Sequence, residues 1–459
     1  MPAQFDAIII GAGQAGPPLA GRLTAAGMSV AVIERKLFGG TCVNTGCTPT
    51  KTMVASAYAA HLARRSADFG ITLSGPVGVD LKAVKARKDA VVIRSRSGVE
   101  SWLKGMAGST VIEGHAQFQS PHEIVVGDDT LTAPRIFLNV GGRAVLPNLS
   151  GVDRVPTLNN RSILELEELP RHLIVIGGSY IGLEFAQIYR RFGSEVTVVE
   201  MAPRLVSRED EDVSAAVKDI LEAEGINVRL NAECIHFTPS GDAISAGVSC
   251  TEGEPEILGS HVLLAVGRQP NTDDLGLDKA GVTLDQRGYI VVDDELRTTA
   301  PGIWALGDCN GRGAFTHTSY NDFEIVAANL LDNDRRSVSD RITAYALYID
   351  PPLGRAGMTE TEARQAGHKI RVGLRPMERV GRAIEKGETK GFMKMVVDAE
   401  SEAILGAAIL GVGGDEAIHG ILDMMYAGRP YTRLQRTIPI HPTVSELIPT
   451  TLGDLGPVA

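Results

Sequence analysis

The sequence predicts an α/β fold in which two strand–turn–helix–strand units of one plan are followed by a separate α+β segment. Three observations carry this. "FDAIIIGAGQAGPPLAGRLTAAGMSVAVIER" and "RHLIVIGGSYIGLEFAQIYRRFGSEVTVVEM" each read as an apolar strand, a glycine turn, a helix, a glycine and a second apolar strand ending in an acid. In both, the acid (Glu34, Glu200) lies 23 residues after the first glycine of the turn (Gly11, Gly177). From about residue 340 onward the pattern changes to mixed strands and helices, as in "GFMKMVVDAESEAILGAAILG".

The 459 residues suffice for about three domains and a large core. A net charge of −11 argues against nucleic acid or an anionic membrane surface as the main partner. No apolar run reaches the length of a membrane span, and the first, at Phe5, follows no basic leader. Five cysteines, at 42, 47, 234, 250 and 309, are too few and too unevenly placed for a disulfide scaffold. That usage points to the cytosol, where a disulfide is usually catalytic or sensing.

Taken in order, residues 1–150 open with the first unit, whose turn holds Gly11, Gly13 and Gly16, with Pro17 and Pro18 in the first helical turn. Missing N–H groups cost little there. Residues near 52–105 read as helices, and 110–140 as short strands with turns such as "GDD". A linker, "LPNLSGVDRVPTLNN", leads to the second unit, 151–270, whose turn has Gly177 and Gly182 with Ser179 between them. Residues 271–339 return to strands at "RGYIVVDDELRTTAPGIWALGDCNG", and 340–459 form the last segment. Each glycine turn would hold a dinucleotide pyrophosphate at its helix N-terminus, where unpaired N–H groups favour anions. Glu34 and Glu200 stand where a ribose hydroxyl would be bound; a solvated strand end is the plainer reading of either acid alone.

Cys42 and Cys47 sit in "GGTCVNTGCTPTK". Five residues along a regular helix separate two groups by about 7.5 Å and about 140° of rotation, so a bond between them requires a distorted helix. Asn44, Thr45, Gly46 and Pro49 are residues that permit one. Two unrelated buried thiols are the alternative on local sequence alone.

The two fingerprints, "GGTCVNTGCTPTK", "GRQPNT", "GIWALGDCNG" and "HPTVSELIPT" together resemble the two-dinucleotide flavoprotein disulfide reductases, the family of dihydrolipoamide dehydrogenase, glutathione reductase and mercuric reductase. The resemblance spans nearly the whole chain and implies two Rossmann-like domains and a C-terminal dimerisation domain. It implies FAD bound by Gly11, Gly13, Gly16, Glu34 and Asp308, and a nicotinamide coenzyme, NADH or NADPH, bound by Gly177, Ser179, Gly182 and Glu200. It further implies Cys47 as the thiol against the flavin, Cys42 as the exchange thiol, and Lys51 near flavin N5, paired with Glu184. His441, oriented by Glu446, would be the acid–base group serving Cys42 of the other subunit of a homodimer. Tyr180 resembles the aromatic that some members place where nicotinamide enters; simple helix packing is the alternative. No resident metal site is expected. Cys309, Cys234 and Cys250 read as packing or surface thiols, while His317 and Tyr320 of "FTHTSYND" are left without a role.

The motifs look most like mercuric reductase-like proteins that keep the His–Glu dyad, which implies electron transfer from NAD(P)H to a small disulfide or a soft metal ion. Dihydrolipoamide dehydrogenase is the second reading. A non-catalytic flavin-binding redox sensor is a third, and retention of Lys51, Glu184, His441 and Glu446 argues against it, since a passive binder needs no proton-transfer dyad.

Overall fold

The computed structural model describes residues 2–249 and 253–458. Cys250 lies outside the described residues. The chain forms two compact units: Met1–Thr52, Lys85–Leu146 and Val266–Arg341 build the first, and Met53–Val84, Pro147–Ala265 and Ile342–Ala459 the second.

The first unit is organised by a five-stranded parallel sheet in the order Ile303–Ala305, Ile136–Leu138, Ala7–Ile10, Val30–Glu34, Ser109–Glu113. Its strands are apolar throughout because both faces are covered. Ile8, Ile10, Ala31 and Ile33 enter one core cluster. Ala7, Ile9, Val30 and Val32 enter another, against Leu19 and Leu23 of the helix Gly16–Ala25. That alternation is the two-residue period of an extended chain. The "GDD" turn joins Glu123–Val126 to Asp129–Thr132 in a small second sheet, with Gly127 at φ +59°.

In the second unit a parallel sheet runs Thr157–Leu158, His261–Leu264, His172–Ile176, Glu195–Val199, Asn227–Arg229. The C-terminal segment adds an antiparallel sheet of five strands: Ala344–Leu347, Leu353–Gly357, Ile404–Leu410, Phe392–Asp398 and Ile370–Pro376. The "GRQP" stretch, read above as closing the second unit, instead belongs to the first. It forms the strand Arg268–Pro270, paired with Gly142–Ala144. Among the described residues no helix is long and apolar enough to cross a membrane.

Candidate functional site

The first glycine turn is built for close approach of a ligand. Gly11 has φ +106°, and a Cβ there would lie 2.2 Å from the Asn139 carbonyl oxygen. A Cβ on Gly16 would lie 2.4 Å from the Gly11 oxygen, so the helix Gly16–Ala25 starts tightly against the strand that precedes it. Its first turn carries Pro17 and no acid, leaving the positive end of the helix uncompensated. Glu34 folds back over this turn: Oε2 accepts from Ala12 N at 2.9 Å and Oε1 from Lys36 N at 2.8 Å.

The cysteine segment is pinned to the same turn. Gly39 N donates to Ala12 O, and Gly40, at φ +62°, has room only for a hydrogen where a Cβ would meet Gly13 Cα at 2.9 Å. The expected distortion is a break at Gly46, whose φ of −134° and ψ of −118° end the helix Gly40–Thr45 before Cys47–Arg64 begins. Cys42 is half-buried, Cys47 exposed, and both are free thiols. Cys47 Sγ lies 3.2 Å from Thr316 Oγ1, at the start of the helix Thr316–Leu331. A hydrogen bond with Cys47, together with burial, holds the Cys42 thiol far above the ordinary range.

Asp308, in the turn Gly307–Asn310, pairs with Arg268 at 2.9 Å. Burial raises its pKa and Arg268 opposes the rise. The turn is braced by Asp322, which accepts from Gly307 N at 2.7 Å and Asn310 Nδ2 at 2.9 Å and pairs with Arg341. Cys309, beside Asp308, is fully buried, its thiol pushed up to about 12 by burial. Phe315 and His317 stack with centroids 5.3 Å apart, and Tyr320 is 46% exposed, edge-on to Phe323. Cys234 is exposed on the strand Glu233–Ser240.

The second turn repeats the first. Gly177 has φ +114°, and a Cβ on Gly182 would lie 2.0 Å from its oxygen. Ser179 stands at the N-cap position of the helix Tyr180–Phe192 without a side-chain capping bond. Glu200 accepts from Gly178 N at 2.5 Å and from Ala202 N at 2.8 Å. Tyr180 meets Tyr345 edge-on, centroids 5.3 Å apart. Glu184 is buried and accepts from Tyr348 N at 3.1 Å; it belongs to the second unit, Lys51 to the first.

His441 and Glu446 are brought together, Nδ1 to Oε2 at 2.9 Å. The acid is 15% exposed and the imidazole 81%, so a fixed carboxylate holds a ring that faces outward. Ile438 and Ile440 beside it are 98% and 79% exposed.

Two family profiles account for most of the chain: "Pyridine nucleotide-disulphide oxidoreductase" matches residues 5–322, and the dimerisation domain of the same name matches 343–452. The chain belongs to that family. Its FAD-binding, pyridine nucleotide-using members are flavoenzymes, and this chain is one of them. Similar proteins include the probable pyridine nucleotide-disulfide oxidoreductase RclA of Escherichia coli (strain K12), 37% identical over 98% of both chains. Dihydrolipoyl dehydrogenase of Thermus scotoductus is 34% identical, over 96% of this chain and 95% of its own. Mercuric reductase of Streptomyces lividans is 32% identical, over 97% and 94%. The solved Cu(II) complex of the HOCl-induced flavoprotein disulfide reductase RclA from Escherichia coli has a TM-score of 0.89 at 35% identity, covering 98% of this chain and 99% of that one.

The first unit fits FAD on its own residues. The cradle at Gly11 and Gly16 excludes side chains, Glu34 folds over it as an acceptor, and Asn44 Oδ1 is buried with no hydrogen-bond partner among the described residues. Sequence reasoning missed Asn139, which closes the cradle and donates from Nδ2 to Gly11 O at 3.2 Å. It also missed Thr316 beside Cys47, and the bracing residues Arg268, Asp322 and Arg341. The apolar run "RIFLNVGG", with an asparagine at the strand end, was the available signal for the first of these.

Proposed function

We propose that this flavoenzyme carries electrons from NADH, with NADPH as the weaker coenzyme, through FAD and the Cys42–Cys47 pair to a small disulfide or a soft metal ion. The observation that carries the reading is the thiol pair on the broken helix, pinned to the first glycine turn.

FAD supplies the two-electron chemistry that links hydride donation to disulfide reduction. In the first unit, Gly11, Gly13 and Gly16 hold its pyrophosphate, Glu34 its ribose and Asp308 its ribityl region. In the second, Gly177, Ser179, Gly182 and Glu200 hold the coenzyme, with Tyr180 at its turn. Lys51, one turn after Cys47, would offset negative charge on a bound flavin. Cys47 carries the thiolate. Cys42 attacks the acceptor and needs a base, because its proton is held tightly. His441 is that base: Glu446 fixes Nδ1, leaving Nε2 free to take and return a proton. Its outward ring, among exposed isoleucines in the dimerisation domain, suits service to the partner subunit of a homodimer acting in the cytoplasm.

Anaerobic addition of NADH to the purified holoenzyme tests the first half. Rapid flavin bleaching is expected, and its absence would favour a passive redox sensor. A panel of disulfides, Cu(II), Hg(II), and dihydrolipoamide with NAD+ tests the second; efficient turnover of dihydrolipoamide alone would make the chain a dihydrolipoamide dehydrogenase, the reading that the Thermus scotoductus relative favours.

A further inference from the structure

A buried ionic group braces the second glycine turn and has no part in the roles given above. The Glu209 carboxylate is 0% exposed and the Arg355 side chain 1%. Arg355, in the strand Leu353–Gly357, donates from Nε to Glu209 Oε2 at 3.0 Å and also from Nη2. The other oxygen, Oε1, accepts the Tyr345 hydroxyl at 2.6 Å. Tyr345 and Arg355 are directly opposite one another in antiparallel strands, so both reach the same carboxylate. The Tyr345 ring then meets that of Tyr180 edge-on, at 80°.

Glu209 is tied to the turn from its backbone side as well. Its N–H donates to Val206 O at 2.8 Å, and Val206 N donates to Gly178 O at 2.9 Å. Leu205 occupies the space over Gly178, 2.6 Å from where a Cβ would stand. One residue is thus connected to Gly178 through Val206 and to Tyr180 through Tyr345.

Stability alone does not explain this arrangement. A buried ion pair is often matched or bettered by apolar side chains of the same volume. Arg355 leaves Nη1 buried with no hydrogen-bond partner among the described residues, which is unfavourable. Val206, a β-branched residue, sits at φ +41°, a conformation that persists only where its surroundings impose it. All three unfavourable features lie in the support of one nucleotide turn, and that is where fixed geometry has value to a reaction.

We infer that Glu209, with Tyr345 and Arg355, is a positioning group of the coenzyme site, holding the Gly178 backbone and the Tyr180 ring in the one arrangement that seats the nicotinamide coenzyme. The inference rests on the reading that the Gly177–Tyr180 turn binds that coenzyme. None of the three residues touches reacting atoms; they act through Tyr180 and Gly178. Burial and the Glu209 charge hold the Tyr345 phenol well above its usual range, so it stays a donor at working pH.

The test uses holoenzyme variants Tyr345→Phe, Glu209→Gln and Tyr180→Leu in anaerobic stopped-flow reduction by NADH, with flavin content and reduction by dithiothreitol measured in parallel. Tyr345→Phe removes one oxygen and keeps the ring. It is expected to raise the half-saturating NADH concentration about five- to tenfold, with flavin content and the dithiothreitol reaction unchanged. Glu209→Gln shifts it in the same direction, since an amide has one accepting oxygen for the donors of both Tyr345 and Arg355. If both variants lower the melting temperature yet leave the NADH parameters within about twofold, while Tyr180→Leu changes them, the network is structural and the inference falls with the coenzyme reading intact. If Tyr180→Leu and Gly182→Ala are also without effect, the turn does not bind the coenzyme and that reading falls instead. Should Glu209→Gln fail to fold, Tyr345→Phe decides alone.

Discussion

The two glycine turns, one in each unit, are the same device under different covers. In both, a carboxylate 23 residues on accepts from the N–H after the first glycine and from the N–H two residues beyond itself. In both, a later glycine, Gly16 or Gly182, touches the first glycine's oxygen. They differ in what lies over them. The first is closed by Asn139 and by the cysteine segment through Gly39 and Gly40. The second is backed by Leu205, Val206 and buried Glu209, with Tyr180 at its edge. The shared part is one backbone cradle built twice; the different part is what closes it. A turn closed by the segment that carries the two cysteines suits a resident flavin, and one bordered by a braced aromatic suits a coenzyme that arrives and leaves.

The strongest way to break this comparison is to fill the two turns in turn. Gly11→Ala places a methyl group 2.2 Å from a backbone oxygen at φ +106°, and the purified variant is expected to carry no flavin absorbance. Gly182→Ala, with its overlap on Gly177, is expected to cost about 1–3 kcal/mol of stability, to keep FAD, and to lose bleaching by NADH. Flavin loss in both, or in neither, would show that the turns do not divide the cofactors between them.

The two thiols make a sharper probe. The reduced enzyme is expected to show a long-wavelength thiolate-to-flavin charge-transfer band. Cys47→Ser should abolish it, whereas Cys42→Ser should display it without reductant, because Cys47 is then unpaired. Identical spectra from the two variants would reverse or erase the assigned roles.

Replacing His441 by Ala should leave NADH-driven bleaching intact and slow disulfide reduction about 10²–10⁴-fold. Mixed dimers of His441→Ala with Cys42→Ser chains should regain activity, since one of their two sites escapes both lesions. Tagged chains that co-purify without regained turnover would confine His441 to its own subunit or to no role.

The smallest effect separates the two acids. Glu34→Ala should weaken FAD retention on dilution and spare the NADH response. Glu200→Ala should raise the KM for NADH by about tenfold, the equivalent of one charge-assisted hydrogen bond, and narrow the preference over NADPH. Equal kcat/KM for the two coenzymes in the unaltered protein would mean that Arg204, near Glu200 in sequence, outweighs the glutamate.

Much of the candidate site was legible because its constraints are local. A turn that must admit a phosphate requires glycine where φ is positive or another backbone approaches, and the acid's distance is set by one helix and two strands. The break between Cys42 and Cys47 follows from helix geometry, and Gly46 realises it. Asn139, Asp322 and Arg341 were not legible. Asn139 acts on a turn 128 residues away, and Asp322 and Arg341 brace the Gly307–Asn310 turn from beyond the loop that follows it; nothing local distinguishes an asparagine that closes a cradle from one that ends a strand.

The sequence by itself determined the two strand–glycine-turn–helix units, the close spacing of Cys42 and Cys47, the His441–Glu446 spacing and the family, since these are written in short segments whose backbone chemistry admits few alternatives. Only the tertiary structure decided that the His441 ring faces outward while its carboxylate is fixed, and that Glu209, Tyr345 and Arg355 converge beneath the second turn. The physical reason is that each depends on burial or on strand register between segments as far as 146 residues apart, and a register becomes definite only when both faces of a sheet have found their partners.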